Sequence, residues 1–544
     1  MDSNSQKKNK ALISGTIIYA IGGFGTKILS FLIVPLYTYY VVPQELGVYD
    51  FVMTLTNLML PIVTIQIGDA AYRWIIGDVR DEFSSGDYVA ISYKRILLHM
   101  IPVTIFAALL FLITGYKYLP CTYCIVLAAC FYNTMQKITR GYGNQKLFAL
   151  CGIVYTFVML LMNVIQICVL KRGIDGMFLS VLLGYIAADA TLLAADKRLR
   201  INPFKAFLTK SEGYKQLEKR MVKFAIPLVS NQLNWWIMSS SDRLIIRFFL
   251  GSFSNGIYSV SYKFPTVLQQ IFSLFTNSWQ DVSIADGKGE QEGYEFSEEI
   301  DAAKLQDGKG EQESCEFSEE IDAAKLPDGK EKPGEGQNSE YYSAVFDKYS
   351  VLVFSVVMLA MPLSQIYVLL FMEQQYHASA FYIPFLYMGT AFQTFSAYFG
   401  AGYLKNGNTR GASTTSIVGA IVNIVVNVAF ISFFGLQAAA VSTMAGFFVM
   451  WVMRIAQTKR SLGIKLKFRK LFIFGALALA FAIVCSVSDR ILSDMGVTDN
   501  LQSLGIKSPQ IMFDVVMTVI ALIIAAAANK EIVRKLGRLI KRRL

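Results

Sequence analysis

The chain has 544 residues, is 54% hydrophobic and only 17% charged, and carries a formal net charge of +11. Soluble proteins carry about 25% charged residues, and apolar runs recur along almost the whole length, so a string of soluble domains is excluded. The basic excess does not point to nucleic acid, because most Lys and Arg flank apolar runs, where they face anionic lipid headgroups.

A helix needs roughly 20 apolar residues to cross a bilayer. Runs of that length predict fourteen spans, at 12–39, 47–67, 95–115, 118–138, 147–170, 175–195, 222–249, 256–279, 346–371, 380–403, 413–434, 436–457, 470–488 and 511–529. Lys7, Lys8 and Lys10 precede the first span and set the N-terminus in the cytoplasm. That run is too long for a cleaved leader, so it is expected to be retained. With this start, 42 of the 51 Lys and Arg fall in cytoplasmic segments or at the cytoplasmic ends of spans, and 4 lie deeper inside helices. The other 5 (51 − 42 − 4) lie outside: Lys117, Lys171, Arg172, Arg490 and Lys507. This asymmetry is the positive-inside signature. An even number of spans returns the C-terminus to the cytoplasm, where Lys535 to Arg543 forms a basic tail.

Segment by segment, 1–196 forms a first six-span lobe, 197–221 a basic cytoplasmic linker, 222–457 a second six-span lobe, and 458–544 two extra helices with the tail. The second lobe contains an acidic cytoplasmic insertion, 281–340, with 19 Asp and Glu against 6 Lys, a net of −13. It is a tandem duplication with a period of 21: Glu295 to Leu305 recurs as Glu316 to Leu326. Such composition reads as a solvated segment, with a docking element as the sharper alternative. An older repeat links the lobes. Leu46-Gly47-Val48-Tyr49 matches Asn255-Gly256-Ile257-Tyr258 at an offset of 209, and Asn163 aligns with Asn427 at 264. The offsets differ by 55, close to the length of the insertion. Six spans is an even number, so the copies run parallel, related by an axis along the membrane normal.

A charge at the bilayer centre costs about 3 kcal/mol on insertion scales, so such residues mark a cavity or a partner. Lys27 sits in the middle of the first span. Asp242 and Arg243 are adjacent in the seventh, about 100° apart, and need not pair. Arg247 follows Arg243 one turn on, Lys263 lies two turns into the eighth span, and Asp69 and Arg73 stand at i and i+4 at the end of the second. Arg243, Lys263, Lys27, Arg73 and Arg247 are the candidate cations of an anion-binding cleft; Arg in particular grips phosphate bidentately. Asp242, Asp69 and Asp189 are candidate coupling or structural carboxylates. Asp514, near a span start, is expected to reach the headgroups. No cofactor and no metal are expected: the lone Cys121/Cys124 pair and two His make no cluster. No nucleophile motif, paired carboxylates or phosphate loop suggests an enzyme.

Several segments together resemble one family. They are Lys27 with Pro35-Leu36, Pro43 to Tyr49, Ser241-Asp242-Arg243, Tyr258 to Lys263, Asn277 to Trp279, Lys405 to Thr409 with Asn423 and Asn427, and Gly435 to Ala439. The family is that of the bacterial lipid-linked oligosaccharide flippases of the multidrug/oligosaccharidyl-lipid/polysaccharide exporter superfamily. The resemblance implies an all-α polytopic membrane protein with two six-helix lobes around a cavity, plus two C-terminal helices. It implies alternating access in the bacterial inner membrane and a polyprenyl-diphosphate-linked glycan (undecaprenyl in the family) as substrate, with other glycan-assembly membrane proteins as partners. It matches Lys27, Arg243 and Lys263 to family cavity cations. The alternatives are a multidrug exporter of the same superfamily, which would favour acidic cavity residues, and a membrane glycan polymerase, which would need a larger outer loop than 489–510.

Overall fold

A computed structural model describes residues 33–76, 83–202, 211–289, 335–405, 409–458, 464, 468–494 and 509–530. Among them every regular element is a helix: α1 (Val34–Tyr40), α2 (Pro43–Thr64), α3 (Ile67–Ile76), α4 (Ser85–Thr114), α5 (Leu119–Gly141), α6 (Gln145–Asn163), α7 (Gly173–Ala195), α8 (Glu212–Phe249), α9 (Gly251–Gly289), α10 (Glu335–Phe371), α11 (Ile383–Lys405), α12 (Thr409–Phe434), α13 (Leu436–Thr458), α14 (Phe468–Asp494) and α15 (Pro509–Ala528). A π-helical turn, Val164–Val169, continues α6, and a 3-10 segment, Gln374–Phe381, precedes α11. This is a multi-pass membrane protein. Nine helices among the described residues are long and apolar enough to cross a bilayer. The other long ones, α5, α8, α9 and α11, are more polar. The first predicted span lies outside the described residues except for α1, as do Lys27 and the duplicated part of the insertion.

Local chemistry sets the helix ends. Pro43 opens α2 in the first turn, where its missing N–H costs nothing. Ser84 and Asp87 form a capping box at the start of α4. At one end of the bundle the chain turns on left-handed glycines, Gly115, Gly173, Gly251 and Gly435 (φ between 53° and 81°), and Gly435 alone separates α12 from α13. The second predicted span, 47–67, is not one helix. Ile65 and Gln66 adopt positive φ of 44° and 55°, and the chain restarts as α3. The Val63 carbonyl near this break is met by His99 Nδ1 at 3.0 Å.

Exposed side chains such as Phe106, Ile113, Phe248 and Phe433 face outward, as lipid contact requires. Inside, one apolar core joins α8–α15 to residues from the first group of helices, Val34, Val41, Leu46, Ile167 and Met177. A second core lies within the first group but takes in Tyr214, Leu217, Met221 and Ala225 from the start of α8. The linker predicted over 197–221 is therefore helical from Glu212. The first turns of α8 belong to the N-terminal core, and the rest of α8 packs on α12. Helices α14 and α15 pack on α10. Asp514 does not reach headgroups: it is fully buried at the start of α15, within 3.5 Å of Gln510 Nε2, which also donates to Ser488 Oγ.

Glu218 anchors α8 to the N-terminal group. It is buried and takes Lys94 Nζ at 2.8 Å and Arg95 Nε at 2.6 Å. Replacing it with Ala takes the carboxylate away from two partly buried cations, and a hydrogen bond to a charged group is worth about 2 kcal/mol. Glu218→Ala is expected to lower the thermal unfolding midpoint of the purified protein by several degrees, while Glu218→Gln loses less.

Candidate functional site

The two groups of helices meet most closely where α2 crosses α9. The crossing is at Gly47 and Gly256, the repeat-related glycines. A Cβ on Gly47 would sit 1.8 Å from the Ser252 carbonyl oxygen, and one on Gly256 would sit 1.9 Å from that of Pro43. No side chain fits at either place, so the backbones touch. Asn255, fully buried, donates from Nδ2 to the Gly47 carbonyl at 2.8 Å. At the same end of the bundle, Tyr376 donates to the Val41 carbonyl at 2.7 Å. Further along α2, Trp236 Nε1 of α8 donates to the Thr54 carbonyl at 3.1 Å. The contacts of Gly47, Gly256 and Tyr376 close the seam at the end where the glycine turns lie, and the Trp236 contact carries it past Asp50.

Charged residues sit just inside this closure. Arg243 Nε lies 3.2 Å from Asp50 Oδ2, but the angle does not make a hydrogen bond. The guanidinium lies over the Tyr262 ring at 4.9 Å. Asn255 Nδ2 approaches the same Asp50 oxygen at 3.5 Å. Lys263 is exposed at a membrane-depth position, within electrostatic reach of Asp50 and Arg243. No carboxylate lies within 4 Å of its Nζ among the described residues. Two cations thus share one carboxylate, and the excess positive charge faces a seam flanked by apolar helices, where a charge acts more strongly than in water.

The remaining predicted residues go elsewhere. Asp242 points away from Arg243 into the C-terminal group. It is 2% exposed and accepts from Tyr258 at 3.1 Å, Asn427 Nδ2 at 3.0 Å, and Thr443 Oγ1. Arg247 packs its guanidinium 5.8 Å from the Phe51 ring, within the closed seam. Asp69 and Arg73 do not pair: Asp69 binds Lys137 of α5, which also reaches Gln66 Oε1 at 3.3 Å. Arg73 is exposed and lies 4.5 Å over Phe224 at the start of α8. It stands on α3, beyond the break at Ile65 and Gln66, whereas Arg243 meets Asp50 near the start of α2, so the two cations are not brought together. Asp189 is half-buried in α7, near Tyr93 and Tyr132, and its Oδ1 has no hydrogen-bond partner. Asp50 was not singled out by the sequence, since it lies near a predicted span end where polar residues are ordinary, and Asn255 and Tyr262 entered only as parts of the repeat and of the family likeness, not as site residues. Among the described residues, no group of three or more His, Cys, Asp or Glu is placed to hold a metal.

Residues 12–279 match the family model for polysaccharide biosynthesis protein. Among solved structures, the chain is similar to the lipid II flippase MurJ in an inward closed conformation, at 13% identity and a TM-score of 0.61, over 95% of this chain and 100% of that one. The chain shares that fold. It is also similar to a multidrug resistance MATE family transporter in an inward-facing conformation, at 13% identity and a TM-score of 0.57, over 83% of this chain and 97% of that one. No curated protein matches the sequence. The expected all-helical polytopic architecture is the one found among the described residues.

Closure at the glycines is testable. Replacing Gly256 with Val forces α2 and α9 apart. A cysteine at position 50, in a background without native cysteines, is expected to react with a membrane-impermeant maleimide several-fold faster in Gly256→Val than with Gly256 intact. Equal rates would contradict the close crossing.

Proposed function

We propose that this protein moves a polyprenyl-diphosphate-linked oligosaccharide from the inner to the outer leaflet of the bacterial plasma membrane, for cell-surface polysaccharide biosynthesis. In this reading both termini are cytoplasmic and residues 1–196 and 222–457 are the two moving lobes. The Gly47–Gly256 end then faces out, and the closed seam there corresponds to a cleft open to the cytoplasm. The lipid diphosphate is drawn to Arg243 and Lys263, and to Lys27, which lies outside the described residues. Rocking of the lobes parts α2 from α9 and presents the headgroup to the other side, while the polyprenyl chain stays in lipid.

The observation that supports this most is the charge imbalance at the seam: two cations at membrane depth against the single carboxylate of Asp50. A site for organic cations would carry the opposite imbalance. Arg243 keeps its Nε free of any hydrogen bond, so binding an anion need not first break one there. Asp50 then serves as a stand-in anion, holding the guanidinium in place until the diphosphate arrives. Asp242, satisfied by three donors, fixes the packing of α8 on α12 and α13.

In a flippase-deficient host expressing this protein, Arg243→Ala and Lys263→Ala are each expected to cut surface glycan at least tenfold, since a charged contact is worth about 2 kcal/mol. Lys263→Arg should retain most of it. Arg243→Lys should not, because a single ammonium cannot span two phosphate oxygens. Wild-type glycan levels in both Ala variants would end the proposal.

A further inference from the structure

A second recess lies in the C-terminal group, lined from α8, α9, α11 and α13, mostly apolar in surface with a few polar groups set into it. It has a volume of about 110 Å³ and is open on one side. That is room for several waters, since one needs about 10 to 15 Å³ measured this way. Its lining contains Trp235, Gln269, Gln393, Thr394 and Arg454, and no carboxylate. Along α9, Gln269 follows Lys263 by six residues. Along α8, Trp235 precedes Arg243 by eight. At 1.5 Å per residue both lie about 10 Å from the cation pair. Because α8 and α9 run antiparallel, both are displaced in the same direction, away from the glycine crossing.

The unspent hydrogen-bonding capacity of this recess is what needs explaining. Among the described residues, the amides of Gln269 and Gln393, the Thr394 hydroxyl and the Trp235 indole N–H make no hydrogen bond to protein. The polar side-chain atoms of Gln269, Gln393 and Thr394 are not sealed in, since none counts among the buried atoms without a partner. Gln393 and Thr394 come from the middle of α11, at membrane depth, where an unsatisfied polar group costs several kcal/mol unless it faces water or a ligand. At the floor, Arg454 is 7% exposed and is held by the Ser396 carbonyl at 3.0 Å, Thr415 Oγ1 at 3.2 Å and Ser416 Oγ at 3.1 Å. Each carboxamide offers two donors and an acceptor on a flat fork, the pattern that matches vicinal hydroxyls. Trp235 is 38% exposed and adds an amphipathic ring with an apolar face and an N–H edge. A hydrophobic cation would meet a guanidinium and unpaired amides here. A polyhydroxylated ring meets donors, acceptors and a stacking surface.

We propose that this recess is a sugar subsite, taking a pyranose ring of the glycan while the diphosphate rests on Arg243 and Lys263. The inference rests on the function proposed above and adds where the headgroup's sugar is held and by which side chains. It makes the cation pair indifferent to sugar and the recess the element that senses it.

The test uses the full-length protein in lipid nanodiscs and two probes, undecaprenyl diphosphate and the same lipid bearing one N-acetylhexosamine, with binding read by native mass spectrometry. Wild-type protein is expected to bind the sugar-bearing lipid about tenfold more tightly than the bare diphosphate. Gln269→Ala/Gln393→Ala should lose that preference and keep its affinity for the bare lipid, since it removes the carboxamides that would pair with the sugar hydroxyls. Trp235→Ala should also weaken only the sugar-bearing probe, and Trp235→Phe should restore it. If the double variant keeps the preference, or weakens both probes equally, the subsite is wrong while the cation site stands. If wild-type protein binds neither probe, the proposed function falls with it.

Discussion

The close approach of α2 and α9 at Gly47 and Gly256 organises the rest of the site. With no side chain between them, two backbones come into contact, and Asn255 and Tyr376 tie the same end of the bundle together. The contact brings Asp50 of α2 against Arg243 of α8. A wider seam would leave two membrane-depth cations with no counter-charge, which is costly. Closure and charge are therefore coupled: an anion that competes with Asp50 for the guanidinium weakens one of the contacts that hold the seam shut.

Helix α8 carries this coupling along the molecule. Its first turns lie in the N-terminal core and are fixed by Glu218 to Lys94 and Arg95. Its later turns, beyond Pro227, present Trp235 and Asp242 to the C-terminal group and Arg243 to Asp50 across the seam. Asp242 is saturated by Tyr258, Asn427 and Thr443, which sets the helix's rotation and so aims its neighbour Arg243 at the seam. Adjacent positions on one helix, pointing about 100° apart, thus divide packing and binding between them.

Much of the architecture was legible in the sequence. Apolar runs and the absence of Lys and Arg from short loops marked the spans, because a bilayer imposes a length and a charge rule that no tertiary contact overrides. The weak repeat paid off in a specific way: two glycines related by an offset of 209 turned out to touch. Other features were not legible. The break at Ile65 and Gln66 carries no Gly or Pro, and a β-branched residue at positive φ is not a local preference. Asp69 was read with Arg73 from spacing alone, but Lys137 on a neighbouring helix won it. Asp514 looked like a headgroup contact until α14 covered it. Asp50 was invisible as a partner for Arg243, since nearly 200 residues separate them and only the folded crossing brings them together.

Reconstitution tests the central claim most directly. Liposomes containing the purified protein and a fluorescent undecaprenyl-diphosphate-linked sugar in both leaflets would be quenched from outside, and the fraction exchanged followed with time. The account predicts rapid exchange with wild-type protein and exchange near the protein-free rate with Arg243→Ala/Lys263→Ala. Undiminished exchange by that double variant, correctly folded and inserted, would contradict it.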